Sequence, residues 1–202
     1  MEAFSPSPGL RERKKQKTRD TIIRVALELF AEQGYEHTTI AEIADAAEVS
    51  PRTIFAYFPS KEDIVFYDQL EVQENLARAL RERPEGATAL DALREFIFGI
   101  LAPDSTRVLR KCIIAGDEAL QRSERARYAP IEQLMAAAIA QDLHANPDDI
   151  RPQIVAAATI AAFTALFDPA APPEPFSRDD ATAVIDDVVT FLRGGLEALS
   201  DR

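Results

Sequence analysis

Hydroxyl and cationic side chains cluster in one short segment of this 202-residue chain, where Thr39, Ser50, Arg52 and Lys61 lie close together in sequence. Hydroxyls and cations bind anions and hydrogen-bond acceptors, and arginine can hold a planar pair of acceptors with two parallel bonds. The unpaired amides at a helix start add to such a site, because the helix dipole favours an anion there. The segment can therefore bind phosphate groups if its helices bring these residues to one surface.

Two helix starts fall within this segment. Thr39 and Glu42 fit the T-x-x-E capping box, in which each side chain accepts a hydrogen bond from the backbone amide of the other residue. Ser50 followed by Pro51 is a second start signal, because a hydroxyl caps the helix and proline has no amide to lose at the first helical position. These signals predict a short helix after Thr39 and another over "PRTIFAYF".

Helices on either side support this pair. Apolar residues spaced by three and four predict an earlier helix that ends at Gly34; they are Ile22, Ile23, Ala26, Leu27 and Phe30. Ser60 with Asp63 predicts a later start, and the helix that follows is expected to run unbroken through "KEDIVFYDQLEVQENLARAL". Two short helices joined by a tight turn between supporting helices indicate a helix-turn-helix.

The segment "IADAAEVSPRTIFAYFPSKEDI" resembles the N-terminal DNA-binding domain of TetR-type transcriptional regulators. The resemblance extends over about residues 15 to 65 and includes "ALELFAEQGYEHTTI" and "YFPSK". Two residues depart from the family pattern. Glu48 occupies the turn position that is usually glycine, where a left-handed backbone strains other residues. Phe55 replaces the common tyrosine, and its side chain is expected to be largely core.

The N-terminal part of a recognition helix enters the major groove, which makes Arg52, Thr53 and Ala56 the candidates for contacts to base edges. Arg52 can make a bidentate contact to guanine. Hydroxyls and lysines elsewhere in the domain are expected at phosphates. The predicted DNA-binding residues are Lys17, Thr39, Ser50, Arg52, Thr53, Ala56, Tyr57 and Lys61.

Several of these residues also have an ordinary structural interpretation. Thr39 and Ser50 can act as helix caps alone. Arg52 can be a solvated surface arginine, and Tyr57 can be a packed aromatic residue. Both interpretations stay open at these four positions, and the position of the residues within the motif favours DNA.

Positive charge is concentrated near the N-terminus, although the whole chain has a formal net charge of −11. The string "LRERKKQKTRDTIIR" carries seven Lys and Arg against two acids. Residues 1–64 hold 9 Lys and Arg against 11 Asp and Glu, a net charge of −2, so the remaining residues carry a net −9. The acidic part is expected to turn away from DNA, which would confine contacts to the basic face.

The chain is predicted to be all-α and to have three parts. Residues 1–14 are a basic, flexible arm, which either contacts DNA or remains a solvated tail. Residues 15–62 form the helix-turn-helix domain. Residues 63–202 read as further helices separated by proline-containing breaks, and the resemblance implies that they bind an effector and form a dimer.

The family resemblance implies a homodimer joined through its last two helices. The candidates for this interface are Ala157, Ile160, Ala161, Thr164, Val188, Phe191, Leu192 and Leu196. Packing inside one subunit is the alternative for these residues. A two-fold dimer would bind double-stranded DNA at an approximately palindromic operator, because its two recognition helices are related by the same symmetry.

The resemblance also implies a pocket for a small molecule in the helical part. The candidates by polarity are Phe66, Tyr67, Leu70, Phe96, Ile100, Cys112, Tyr128, Met135, Phe163 and Phe167, and ordinary core packing is the alternative for each. A largely apolar lining favours an apolar effector. The predicted function is a repressor that such an effector releases from its operator; the alternative is a helix-turn-helix protein whose helical part binds a protein partner.

Other classes of protein lack support in the sequence. Two histidines and one cysteine provide no plausible zinc site, and no nucleophile elbow, phosphate-binding loop or dinucleotide fingerprint occurs among the 7 glycines. We therefore expect neither an enzyme nor a cofactor or metal. The longest nearly uncharged apolar run, from Ile154 to Phe167, is shorter than the roughly 20 residues of a membrane span. A cytoplasmic protein without membrane contact is expected.

Overall fold

The computed structural model describes residues 9–100, 105–166 and 178–200. Within these ranges the chain forms eleven α-helices and no strand, which confirms the predicted all-α class. The helices are α1 (Leu10–Gln33), α2 (Ile40–Ala46), α3 (Pro51–Tyr57), α4 (Lys61–Val65), α5 (Gln69–Arg81), α6 (Ala89–Ile100), α7 (Ser105–Ala115), α8 (Glu118–Arg127), α9 (Ala129–Asp142), α10 (Arg151–Leu166) and α11 (Arg178–Ser200). No helix among the described residues is long and apolar enough to cross a membrane.

The chain divides into two compact units. The first contains α1 to α4 together with α7, and the second contains α5, α6 and α8 to α11. The division after Tyr67 lies near the predicted domain boundary at residue 62, but α7 was expected in the second domain. It belongs to the first because it packs on α1 and buries Ile113 and Ile114. This contact joins residues far apart in sequence, so the local pattern could not indicate it.

The helix α1 begins at Leu10. The prediction of a flexible arm is therefore wrong for residues 10–14. Arg, Lys, Gln and Glu all favour a helical backbone, and this composition supports the first turns. The hydroxyl of Thr18 donates to the carbonyl of Lys14 at 3.0 Å, and the hydroxyl of Thr21 donates to that of Lys17 at 2.9 Å. The basic residues of this segment are therefore displayed on a helix.

The long helix predicted after Ser60 is also wrong, since α4 ends at Val65 and α5 starts at Gln69. A guanidinium nitrogen of Arg19 donates to the carbonyl oxygen of Tyr67 at 2.5 Å. This carbonyl therefore accepts a hydrogen bond from a side chain at the point where the helix is interrupted. The Tyr67 ring also lies 5.9 Å from the guanidinium of Arg19 and 5.6 Å from that of Arg110. Tertiary contacts of the first unit thus stabilise the turn at residues 66–68.

The second unit is built around one apolar core and several ion pairs. The core includes Leu76, Leu90, Met135, Ile139 and Ile185, all of which are almost fully buried. Arg83 and Asp142 form a mostly buried pair at 2.7 Å between the end of the α5 region and α9. Helices α6 and α11 are joined by Arg94 with Asp186 at 2.6 Å, and by Asp91 with Arg193. These bonds connect helices that are distant in sequence.

Candidate nucleic-acid interface

The start of α2 has the predicted capping box. The Glu42 amide donates to the Thr39 hydroxyl oxygen at 3.3 Å, and the Thr39 amide donates to the Glu42 carboxylate at 2.7 Å. The Thr39 hydroxyl also donates to this carboxylate at 2.8 Å. Hydrogen bonds from the Thr39 backbone and side chain lower the pKa of Glu42. Thr39 is exposed and already caps its helix, so any phosphate contact by it would be a second role.

The start of α3 is capped by Ser50, as predicted. The Thr53 amide donates to the Ser50 hydroxyl oxygen at 3.1 Å, and the two hydroxyl oxygens lie 2.8 Å apart. Pro51 occupies the first helical position. Thr53 is half-buried and its hydroxyl is engaged with Ser50, so it supports the helix start rather than standing free toward a base edge.

The tight turn between α2 and α3 keeps a left-handed backbone at Glu48, although this residue stands where glycine is usual. Glu48 has φ 56°, and its amide donates to the carbonyl of Asp45 at 3.2 Å. The Val49 amide donates to the carbonyl of Ala44 at 2.9 Å. The turn thus has the shape that glycine normally provides, at the cost of strain on a residue with a Cβ.

The inner face of α3 anchors the helix to the first unit. Ile54 is fully buried and Phe58, at its C-cap, is 3% exposed. Phe55 is 53% exposed, which contradicts the expectation that it is core. Because Ile54 and Phe58 are four positions apart and take the inward positions, the residue next to Ile54 is turned about 100° away from them. A seven-residue helix is too short for its apolar pattern to settle this from sequence.

The outer face of α3 presents Pro51, Arg52, Phe55 and Ala56 to solvent, with Pro59 just beyond the helix. Arg52 has no hydrogen bond or ion pair with any other residue that the structure describes. Tyr57 is half-buried, and its ring centroid is 6.5 Å from that of Phe58. The structure thus places Arg52 and Ala56 on an open surface, and it keeps Tyr57 beside the core.

Lys61 was predicted as a phosphate ligand, but its ammonium is occupied by the loop between α1 and α2. It donates to the carbonyl oxygens of Tyr35 at 2.6 Å, Thr38 at 3.0 Å and Glu36 at 3.4 Å, and it lies 4.2 Å from the Tyr35 ring centroid. Burial lowers the pKa of Lys61, and the charges of Glu36 and Asp117 oppose that shift. The three donors of an ammonium already have acceptors here, so the direct phosphate role is wrong in this conformation.

The exposed side of α1 carries the basic residues. Lys17 and Arg13 lie on one open face together with Gln16, Asp20 and Arg24. The Gln16 amide donates to Asp20 at 2.8 Å, and Arg24 pairs with Glu28 at 2.8 Å. The ion pair neutralises the charge of Arg24, while Lys17 and Arg13 remain exposed to solvent.

The predicted effector residues do not share one environment. Phe66, Met135 and Phe163 are buried, Tyr67, Phe96, Ile100 and Tyr128 are half-buried, Leu70 and Cys112 are exposed, and Phe167 lies outside the described residues. Phe66, Tyr67 and Cys112 belong to the first unit and the other described candidates to the second. Leu70 is 75% exposed and Cys112 is exposed, so their own subunit does not enclose either side chain: apolar character alone does not show which way a helical residue points.

The predicted dimer residues also separate by exposure. Ile160 and Leu192 are 7% exposed and pack in the core of their own subunit, which favours the alternative of packing inside one subunit for these two residues. Ala157, Ala161 and Phe191 are exposed, whereas Thr164 and Val188 are half-buried, and nothing is described of the Leu196 side chain. Ile154, which was not among the predicted interface residues, is 59% exposed on α10. Among the described residues no cluster of His, Cys, Asp and Glu could hold a metal ion.

A capped two-helix unit whose second helix presents an exposed arginine is typical of DNA-binding transcriptional regulators of the helix-turn-helix class. Residues 22–67 match the family model for bacterial regulatory proteins of the TetR family, and residues 91–197 match the model of the MftR C-terminal domain. The chain belongs to the TetR family.

Similar proteins agree with this family assignment. The transcriptional regulator TcmR of Streptomyces glaucescens is 38% identical over 165 residues, which cover 74% of this chain and 71% of TcmR. The putative mycofactocin biosynthesis regulator MftR of Mycobacterium tuberculosis is 28% identical over 148 residues, which cover 71% of this chain and 75% of MftR.

Solved structures share the fold. The NalD repressor of the MexAB-OprM multidrug efflux pump in Pseudomonas aeruginosa superposes with a TM-score of 0.66 at 23% identity, over 88% of this chain and 96% of NalD. The SmeT–triclosan complex has a TM-score of 0.65 at 21% identity, over 87% of this chain and 91% of SmeT.

Proposed function

We propose that this chain represses transcription as a homodimer on an approximately palindromic operator, and that a small, largely apolar effector releases it. The observation that carries the proposal is the open face of α3. Arg52 lies there, exposed and with no protein partner among the described residues, at the N-terminal end that a recognition helix inserts into the major groove. A bidentate contact from Arg52 to guanine would supply base recognition.

Phosphate contacts would hold this helix in register. The start of α3 at Ser50 and the start of α2 at Thr39 each present backbone amides, and the helix dipole favours a phosphate there. Lys17 on the exposed face of α1 and the hydroxyl of Tyr57 would add contacts to the backbone, and Ala56 would lie against base edges. Lys61 would act indirectly, because its bonds to the Tyr35 and Thr38 carbonyls hold the loop that leads into α2.

The dimer is supported by exposed apolar residues on α10 and α11. Phe191 is 80% exposed and Ile154 is 59% exposed, and Ala157 and Ala161 extend the exposed apolar stripe of α10. Because such surface is costly in water, a second copy of the chain is the partner that we propose for it. Phe191→Asp should dissociate the dimer in sedimentation velocity, whereas the adjacent, exposed Thr190→Asp should not.

The effector is proposed to bind in the second unit. Phe96 and Tyr128 are half-buried and pack against a core that contains Met135 and Phe163, so the surroundings are apolar. An effector that prefers a dimer conformation incompatible with successive major grooves would lower the operator affinity by shifting the population. A compound that raises the melting temperature without changing operator affinity would contradict release.

The DNA-binding part is tested by fluorescence anisotropy of the purified protein on DNA that flanks its own gene and on scrambled DNA, at several salt concentrations. We expect tight, sequence-dependent binding that Arg52→Ala abolishes and that the exposed control Arg81→Ala retains. Weak and equal binding to both DNAs, falling steeply with salt, would indicate only nonspecific contact by the basic residues of α1. The search would then turn to distant operators or to a protein partner of the helical part.

A further inference from the structure

The outer face of α3 is almost entirely apolar. Of the exposed residues Pro51, Arg52, Phe55, Ala56 and Pro59, Arg52 alone has a side chain with hydrogen-bond donors. Phe55 is the largest apolar side chain among them and is 53% exposed. Burial of an aromatic side chain contributes favourable free energy. If this side of the helix contacted only water, Phe55 would contribute none of it.

The chemistry of Phe55 restricts what it can contact. A phenyl ring has no donor for a phosphate oxygen or a base edge, so its favourable partner is another apolar group. The major groove offers one such group with sequence information, the C5-methyl of thymine. The absence of the tyrosine hydroxyl at this position therefore favours a methyl contact over a contact to the DNA backbone.

The spacing of Phe55 and Arg52 limits where that thymine lies. Residues three apart share one side of a helix and are separated by about 4.5 Å along its axis. Successive base pairs are about 3.4 Å apart, so side chains at these two positions reach the same or neighbouring base pairs. Ile54 and Phe58 anchor the opposite side of the helix, which keeps both side chains facing outward.

We propose that Phe55 determines operator specificity by packing on the C5-methyl of a thymine that lies within about two base pairs of the guanine contacted by Arg52. The inference rests on the proposed insertion of α3 into the major groove. It differs from that proposal because it assigns recognition of one methyl group to a residue that the sequence pattern placed in the core. The operator half-site should then pair one guanine with one nearby thymine as its most discriminating positions.

The test begins with an operator selected from randomised DNA by the purified full-length protein. Each thymine is then replaced singly by deoxyuridine, which removes only the C5-methyl. For the wild-type protein we expect one thymine per half-site whose replacement weakens binding about fourfold, the value of one buried methyl group. Phe55→Ala should bind the thymine and deoxyuridine operators equally, and Phe55→Tyr, which keeps the ring, should still discriminate between them.

Controls separate a base contact from a general effect of the substitution. Leu70→Ala removes another exposed apolar side chain, in the second unit, and should retain full discrimination. Thermal unfolding of each variant confirms folding. The inference is overturned if an operator is selected and bound tightly, but wild type and Phe55→Ala lose the same affinity at every deoxyuridine.

Other results of this experiment are equally decisive. If no sequence is enriched, the proposed DNA-binding function fails, and the role of Phe55 fails with it. If Phe55→Ala changes self-association in sedimentation velocity and leaves discrimination of thymine intact, the exposed ring contacts another copy of the chain and the base-reading role is wrong.

Discussion

Different kinds of interaction are prominent inside each of the two compact units. In the first unit, local hydrogen bonds at Thr39, Ser50 and Ser60 fix where three short helices begin. In the second, ion pairs such as Arg83 with Asp142 join helices that are far apart in sequence. The difference teaches that short-range signals set where the helices of the DNA-binding unit begin, whereas ion pairs between distant residues join helices of the second unit, where a local cap at Thr88 and Asp91 also begins α6.

The largest effect should come from breaking a tertiary ion pair in the second unit. Arg83→Ala leaves the mostly buried Asp142 carboxylate without its cation, and we expect a loss of about 3 kcal/mol in the free energy of unfolding. Urea denaturation followed by circular dichroism measures it. The exposed Arg81→Ala is the matched control and should change stability by less than about 0.5 kcal/mol. Equal stability of the two variants would remove the proposed contrast between the units.

A smaller loss is expected when Lys61 is replaced by methionine. The substitution removes charge-assisted bonds to the carbonyls of Tyr35 and Thr38, which we expect to lower stability by about 2 kcal/mol. Operator affinity should fall, but the dependence of log K on log salt should keep its slope, because no phosphate contact is lost. Lys17→Met is the control: it should reduce that slope by about 0.9 for each contact removed and leave stability unchanged. A reduced slope for Lys61→Met would restore its phosphate role.

Removal of a helix cap should cost about 1 kcal/mol. Ser50→Ala and Ser60→Ala each lose a side-chain acceptor at a helix start in the first unit, so thermal unfolding should show similar destabilisation. Anisotropy should separate them, since only Ser50 begins the recognition helix and weakens operator binding when it is replaced. Equal losses of operator affinity would mean that the Ser50 effect is purely structural.

The smallest effect concerns two non-glycine residues that have a left-handed backbone in the described ranges, one in each unit. Glu48 has φ 56° and His144 has φ 47°. Glu48→Gly and His144→Gly relieve this strain but increase the entropy of the unfolded chain, so we expect each to stabilise by no more than about 1 kcal/mol. Chemical denaturation of both variants measures the change. A marked loss of stability at either site would show that its side chain contributes a contact worth more than the strain.

Local signals explain how much of the molecule was predictable from sequence. The caps at Thr39, Ser50 and Ser60 were predicted because the residues that decide them are within a few positions of one another. The same locality made the helix-turn-helix segment recognisable.

Contacts between distant residues explain the errors. The bond from Arg19 to the Tyr67 carbonyl separates α4 from α5, and the loop carbonyls that bind Lys61 lie more than twenty positions before it. Phe55 faces outward because Ile54 and Phe58 occupy the inward positions of the helix. No periodic pattern in a seven-residue helix distinguishes Phe55 from Ile54, because both are large and apolar.

The separation of anchoring and outward residues on α3 has a consequence for the evolution of new regulators. Ile54 and Phe58 hold the helix, while Arg52, Phe55 and Ala56 face away from the core, so substitutions at the outward positions leave the packing intact. After gene duplication, a few substitutions at these positions could change the DNA sequence that one copy binds, and each variant along the way would still fold. The short helix thus allows a lineage to diversify the genes it controls while its architecture is inherited unchanged.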